Sequence, residues 1–167
     1  DYPELSLDRE DSKGLVKALS NDNMFWRMTA QRLLVENGNT NVASELIKLV
    51  RNTEVDALGF NSGALHALWT LDGLGVVSSN AEVMEVVKTA VKHPSAAVRK
   101  AATQILPKSD SLDALLLEAN LLTDSDPGVQ LAALIYFSER EPNEVVGQQL
   151  FELSRNEQLL ADDWLAK

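Results

Sequence analysis

The sequence contains no cysteine among its 167 residues. A disulfide framework, a thiolate nucleophile and a cysteine-ligated zinc or iron–sulfur site are therefore excluded. Histidine is nearly as scarce, with His66 and His93 as the two in the chain. Because a zinc or haem site needs further ligands and no H-x-x-x-H or H-E-x-x-H spacing occurs, we interpret both histidines as packed or hydrogen-bonded side chains, and we predict no metal and no cofactor.

Basic residues are few for the size of the chain. Fifteen Lys and Arg stand against 25 Asp and Glu, which gives a net charge of −10. Nucleic-acid binding requires clustered Lys and Arg that displace counterions from the phosphates, so we predict a protein partner and no nucleic acid. An anionic membrane surface is disfavoured for the same reason.

Long apolar runs are also missing. No run approaches the roughly 18 residues of a transmembrane helix, so we expect no membrane insertion by this segment. The acidic start, with Asp1 and Glu4, is the reverse of the basic beginning of a signal peptide. Two expectations remain open: a cytosolic protein, or a piece of a larger protein whose targeting signal lies elsewhere.

Catalytic motifs are lacking as well. No G-x-S-x-G elbow and no phosphate-binding G-x-x-x-x-G-K-[ST] loop occurs. The acidic clusters 124–126 and 162–163 resemble fragments of calcium loops, but the required glycine and glutamate are absent, so a role in turns and helix caps is favoured. The sequence thus predicts a protein without enzymatic activity.

What the chain does contain is an internal repeat of helical character. Short apolar stretches recur at 26–30, 63–67, 98–102 and 129–133, each with an alanine three residues after its second position. From Arg27 to Ala64, Arg99 and Gln130 the steps are 37, 35 and 31 residues. Such a period predicts stacked helical hairpins, and since no alternating β pattern of useful length exists, the fold class is all-α.

The domain prediction follows from this pattern. Residues 1–11 form an extended leader, and residues 12–167 form a single domain of about five antiparallel helix pairs. The fifth pair begins at Pro142 or Asn143, and its second helix carries apolar residues from Leu159 to Leu165. No glycine or polar stop follows that helix, which indicates a domain excised from a longer chain.

The apolar stripes of these helices are the predicted core. In the second helix the stripe consists of Phe25, Met28, Ala30, Leu33 and Leu34. Helical spacing of this kind normally places such residues against a neighbouring helix.

Four residues are candidates for an interaction surface: Trp26, Arg27, Arg99 and Trp164. Arg27 and Arg99 occupy the same position of their repeats, where an arginine can reach an acidic or carbonyl group of the neighbouring repeat, with Asp22 and Asp124 as suitable partners. Two arginines are too few for an anion-binding row against this net charge. The sequence therefore favours a structural ladder for the pair.

The tryptophans leave two readings open. Trp26 and Trp164 both stand in the first turn of a second helix, near the edge of the predicted stack. An aromatic at helical spacing is usually part of the core, but at an edge it could receive a neighbouring domain.

Two segments carry a resemblance to known proteins. The turn and helix at 95–102, S-A-A-V-R-K-A-A, and the turn at 124–129, D-S-D-P-G-V, resemble HEAT repeats. The strings N-M-F-W-R-M-T-A-Q-R-L-L-V-E at 23–36 and A-L-H-A-L-W-T-L-D-G-L at 64–74 resemble the helical-repeat region of large secreted or membrane-bound dehydrogenase-like proteins. In those proteins a sorbosone-dehydrogenase-like β-propeller precedes the repeats and a haem-binding C-x-x-C-H segment follows.

The resemblance implies an α-solenoid that links or docks the propeller and the haem domain, in an extracytoplasmic protein. The chemistry of that family lies in the two domains that are not present in this sequence. Two alternatives stay open: a HEAT protein of the bilin-lyase type that binds a ligand on its concave face, and a free-standing adaptor for another protein.

Overall fold

The computed structural model describes residues 7–141 and 144–155, and within them the chain is all-α, with nine α-helices and no strand. The helices are α1 (Ser12–Ala18), α2 (Met24–Asn37), α3 (Ala43–Arg51), α4 (Ser62–Gly73), α5 (Ala81–Ala90), α6 (Ala96–Ile105), α7 (Asp110–Glu118), α8 (Pro127–Ser138) and α9 (Glu144–Leu153). Short 3-10 turns at Thr40–Val42 and Leu121–Thr123 precede α3 and α8.

Polar side chains determine where most of these helices begin. Asn23 caps α2, Asn61 caps α4, Asn80 caps α5 and Asp126 caps α8, each accepting a hydrogen bond from a backbone N–H of the first turn. A side-chain cap of this kind satisfies a donor that the helix itself cannot pair. The recurrence of Asn or Asp before the helices therefore divides the chain into its segments.

Helices α1 to α6 and α8 lie in two rows. In the even row α2 contacts α4, α4 contacts α6, and α6 contacts α8. In the odd row α1 contacts the 3-10 turn at Thr40–Val42, and α3 contacts α5. Neighbours α1 and α2, α3 and α4, and α5 and α6 also contact one another, so the core lies between the rows.

The repeat positions coincide in this arrangement. Counted from Arg27 and its equivalents, the residue three positions later is a buried alanine in every repeat: Ala30, Ala67, Ala102 and Ala133. The residue seven positions later is a large buried apolar side chain: Leu34, Leu71, Leu106 and Phe137. Small residues at the first position let neighbouring helices approach, and large ones at the second fill the space between rows. The pattern seen in the sequence thus marks the buried side of the even row.

Close approach within the even row is visible at Gly73. A Cβ added there would lie 2.6 Å from Val35 Cγ2, so the end of α4 is in tight contact with α2. Glycine at this position removes a steric obstacle to stacking.

One predicted boundary differs from the structure. Pro127 and Gly128 were predicted in a turn, but they belong to α8, where Pro127 stands in the first turn and lacks only an N–H that the helix would leave unpaired. The leader is non-helical from residue 7 to α1, and its residues 1–6 lie outside the described ranges. The start of the fifth pair at Pro142 or Asn143 and its second helix from Leu159 also lie outside them.

Candidate interaction surface

Arg27, Arg99 and Gln130 make the same local contact. Nη1 of Arg27 donates to the carbonyls of Asn21 at 2.6 Å and Asp22 at 2.8 Å. Nη1 of Arg99 likewise donates to the carbonyls six and five residues before it, at 2.9 Å each, and Nε2 of Gln130 donates to the carbonyl six before it. Each side chain therefore folds back and braces the turn that leads into its own helix.

Arg99 has a second contact that reaches the next repeat. Its Nε and Nη2 donate to Oδ2 and Oδ1 of Asp124 at 2.8 and 2.7 Å. Burial alone would raise the pKa of Asp124, but the hydrogen bonds from Arg99 and from the Asp126 backbone, with the charge of Arg99, together lower it below 3.8. The predicted contact between Arg99 and Asp124 is confirmed.

Arg27 differs from that prediction. It reaches the backbone oxygen of Asp22 and not the carboxylate, and both of its acceptors belong to its own turn. Its Nε is buried without a hydrogen-bond partner. The two predicted partners also differ in position, because Asp22 lies five residues before Arg27 in its own turn, whereas Asp124 lies in the turn before the next even helix.

Both histidines are buried and hydrogen-bonded. Nδ1 of His66 lies 2.7 Å from Oε1 of Gln31, which joins α4 to α2. Burial, and then the positive charge of Arg27, lower the pKa of His66 below 6.5. His93 accepts from the Ser95 backbone at Nδ1, so its Nε2 donates to the Asn52 carbonyl, 3.0 Å away.

Two residues assigned to the core lie on the surface. Phe25 is 65% exposed and Met28 is 49% exposed. Trp26 is half-buried, and its ring meets that of Phe25 edge-on, with centroids 5.2 Å apart. Helical periodicity shows that apolar residues lie along α2, but it does not show which of them have a neighbouring helix to cover them. Trp164 lies outside the described residues.

The exposed apolar residues of α2 belong to a larger surface, which we call the even-helix face. It consists of the residues one and five positions after Arg27 and its equivalents, together with Phe25. The members are Phe25, Met28, Arg32, Leu65, Trp69, Lys100, Gln104, Leu131 and Ile135, and all of them are exposed or half-buried. Since the even helices contact one another in order, side chains at equivalent positions follow one another from α2 to α8.

Apart from Arg32, the even-helix face is apolar at both ends, on α2 with α4 and on α8, and it is polar in its middle, on α6. Phe25, Met28, Leu65 and Trp69 lie on the adjacent helices α2 and α4, and we call these four the α2–α4 patch. Lys100 and Gln104 follow on α6. Aromatic and methionine side chains that are partly exposed on two adjacent helices are typical of a protein-binding surface.

The described residues contain no group of three or more carboxylate or imidazole side chains placed to hold a metal ion. No helix within the same ranges has both the length and the apolar character needed to cross a bilayer.

Comparison with known proteins found no matching family model, no matching curated protein and no matching solved structure. The resemblance to dehydrogenase-associated repeats therefore stays a prediction from the motifs at 23–36 and 64–74.

Proposed function

We propose that the chain is a non-catalytic protein-interaction module built as an α-solenoid of about five HEAT-like helix pairs. The observation that carries this proposal is the even-helix face. Four helices in one row present equivalent positions to the outside, while the alanines beside them are buried in the core. Repeat stacks of this kind use an extended face to bind other proteins.

The α2–α4 patch is the proposed centre of recognition. Aromatic and methionine side chains are enriched at the centres of protein interfaces, and Trp contributes more binding energy than most residues. The patch combines Phe25 and Met28, which are exposed, with Leu65 and Trp69, which are half-buried and rest on the core. Leu65 and Trp69 form the base of the patch, and Phe25 and Met28 supply exposed apolar area that a partner can cover.

The partner is proposed from the sequence resemblance: a sorbosone-dehydrogenase-like propeller and a haem domain of the same, extracytoplasmic protein. The module would hold the propeller beside the haem domain. The net charge of −10 supports a protein partner over nucleic acid, because phosphate groups would be repelled.

Calorimetry tests the proposal. The chain is titrated with a propeller domain and a haem domain produced from the gene that encodes it, and we expect saturable heat and co-elution with at least one. The double variant Phe25→Ser, Met28→Ser should weaken that binding about tenfold or more, as loss of an interface centre does. Val145→Ser on α9 is the control, since Val145 is about as exposed as Phe25 but lies far from α2 in the chain.

Absence of heat and of co-elution with either domain would refute docking to them. Binding that is equal in the double variant and in Val145→Ser would refute the α2–α4 patch as its site. If the gene encodes neither domain, the dehydrogenase association fails.

A further inference from the structure

The loop between α3 and α4, residues 52–61, exposes apolar side chains without any cover. Every residue from 52 to 60 is exposed, and Leu58 is 80% exposed. Val55 and Phe60 are exposed beside it, and we call these three the apolar loop tip. Exposed apolar side chains that occur together mark interaction sites more often than singly scattered ones do.

This loop has a well-defined conformation. Oδ1 of Asp56 accepts hydrogen bonds from the backbone N–H groups of Leu58 and Phe60 at 2.8 and 2.9 Å. The backbone N–H of Asp56 donates to the Phe60 carbonyl at 2.9 Å, and Gly59 turns the chain with a φ of 81°. Together these bonds close the loop around the Asp56 carboxylate.

The base of the loop is clamped as well. Nδ2 of Asn61 donates to the carbonyls of Asn52 and Glu54 at 2.7 and 2.9 Å, while its Oδ1 caps α4. Nε2 of His93 donates to the Asn52 carbonyl from the other side. A loop that is ordered in advance loses less conformational entropy when it binds, which strengthens binding.

Charge selects the partner. Glu54 and Asp56 flank Val55, and within the described ranges neither carboxylate has a cation at salt-bridge distance. The adjacent Arg51 is paired with Glu82 instead, at 3.1 Å. Acidic groups beside an apolar tip complement an apolar surface that is bordered by Lys or Arg. The overall charge of −10 opposes both a second copy of the chain and an anionic membrane as occupant.

We propose that the apolar loop tip binds the apolar stripe of a basic amphipathic segment on a partner protein, with Lys or Arg of that segment facing Glu54 and Asp56. This contact uses different residues from the α2–α4 patch and does not depend on it. An amphipathic helix presents one apolar stripe to its partner, and that stripe is the surface that the apolar loop tip would cover.

The test uses a synthetic amphipathic peptide of about 14 leucine and lysine residues at helical spacing, and a matched peptide with glutamate in place of lysine. Binding is measured by calorimetry and mapped by amide chemical shifts of the full chain. We expect saturable binding of the lysine peptide, shifts at residues 54–60, and no binding of the glutamate peptide. Leu58→Ser with Phe60→Ser should weaken binding about tenfold or more, and Glu54→Gln about two- to threefold.

Phe25→Ser with Met28→Ser is the control, because it removes the exposed half of the α2–α4 patch and leaves the loop intact. If that control binds the peptide as tightly as the wild type does, the loop is supported as the binding site. Loss of binding in the control alone would assign the peptide to the α2–α4 patch and overturn the proposal. If the Leu58 and Phe60 variant binds the lysine peptide as tightly as the wild type does, the peptide is attracted by net charge only, and this result would also overturn the proposal.

Two further outcomes would overturn it by naming another occupant. Partition onto phosphatidylserine vesicles that is lost in the Leu58 and Phe60 variant would assign the tip to a lipid surface. A dimer in sedimentation that dissociates in the same variant would assign it to a second copy. All three variants change exposed side chains, and thermal unfolding checks that each remains folded.

Discussion

Arg99 and Asp124 stand 25 residues apart and form a two-point ion pair, with hydrogen bonds of 2.8 and 2.7 Å from one guanidinium to one carboxylate. Their side chains are only 14% and 9% exposed. Because the same guanidinium also braces the turn before α6, it couples that turn to the turn before α8. The pair is thus a direct link between two successive repeats.

Asp124→Asn should destabilise the fold by about 3 kcal/mol, since it leaves a largely buried guanidinium without its countercharge. The control is Glu82→Gln, which breaks the pair with Arg51, whose side chains are 57% and 58% exposed. That change should cost less than about 1 kcal/mol. Urea unfolding of both variants gives the comparison, and equal losses of stability would contradict the coupling role.

Acidification should weaken the fold through His66. Its pKa in the folded chain lies below 6.5, so the unfolded chain binds the proton more readily. The contribution of neutral His66 is complete above pH 6.5 and is lost as the pH falls through the lower, folded pKa.

The check is the free energy of unfolding, measured from neutral pH down to pH about 5, for the wild type and for His66→Gln. Stability of the wild type should fall more steeply than that of the variant, which cannot titrate at this position. Parallel curves would show that His66 does not contribute to the pH dependence.

Two glycines in helices should respond oppositely to alanine. Gly147 in α9 has no atom within 4 Å of an added Cβ, so Gly147→Ala should stabilise the chain by roughly 0.5–1 kcal/mol through helix propensity. Gly73→Ala should destabilise it by about 1–3 kcal/mol, because the new Cβ would meet the stiff side chain of Val35. Thermal unfolding of both variants beside the wild type measures the two effects. A gain of stability in Gly73→Ala would show that α2 and α4 leave room for the added methyl group, and it would contradict the close contact at Gly73.

Asn61→Ser should loosen the loop and spare the helix. Serine can still cap α4, but it lacks the Nδ2 donor that holds the carbonyls of Asn52 and Glu54. Hydrogen exchange at the amides of Leu58 and Phe60 should become faster, with little change in α4. Unchanged protection in the loop would show that the Asp56 contacts are sufficient without the clamp.

The sequence predicted the repeat positions well because the same physical need recurs in each pair. An alanine is required where two helices approach, and a polar residue is required where a chain turns into a helix, so Ala102 and Asp126 are recognisable without a structure. The contact of Arg99 with Asp124 was also predicted, since both occupy fixed positions in the repeat.

The surface could not be predicted in the same way. Phe25 and Met28 satisfy a helical period, but periodicity does not tell which side of a helix has a neighbour. Arg27 reaches backbone oxygens, which have no sequence signature. A weak signal for the loop existed in the apolar residues Leu58 and Phe60, which stand within ten residues that show no helical period and include Gly59.

Removal of the first helix pair tests the repeat stack most directly. A chain that begins at Asn39 lacks α1 and α2, yet keeps α3 to α9 with the contacts of α3 to α4 and of α4 to α6. If each pair is stabilised by its neighbours only, this shortened chain should retain its helical circular dichroism and a cooperative urea transition, at a lower midpoint than the full chain. A shortened chain that is unfolded, or that unfolds without cooperativity, would contradict the stack and with it the even-helix face as a binding surface.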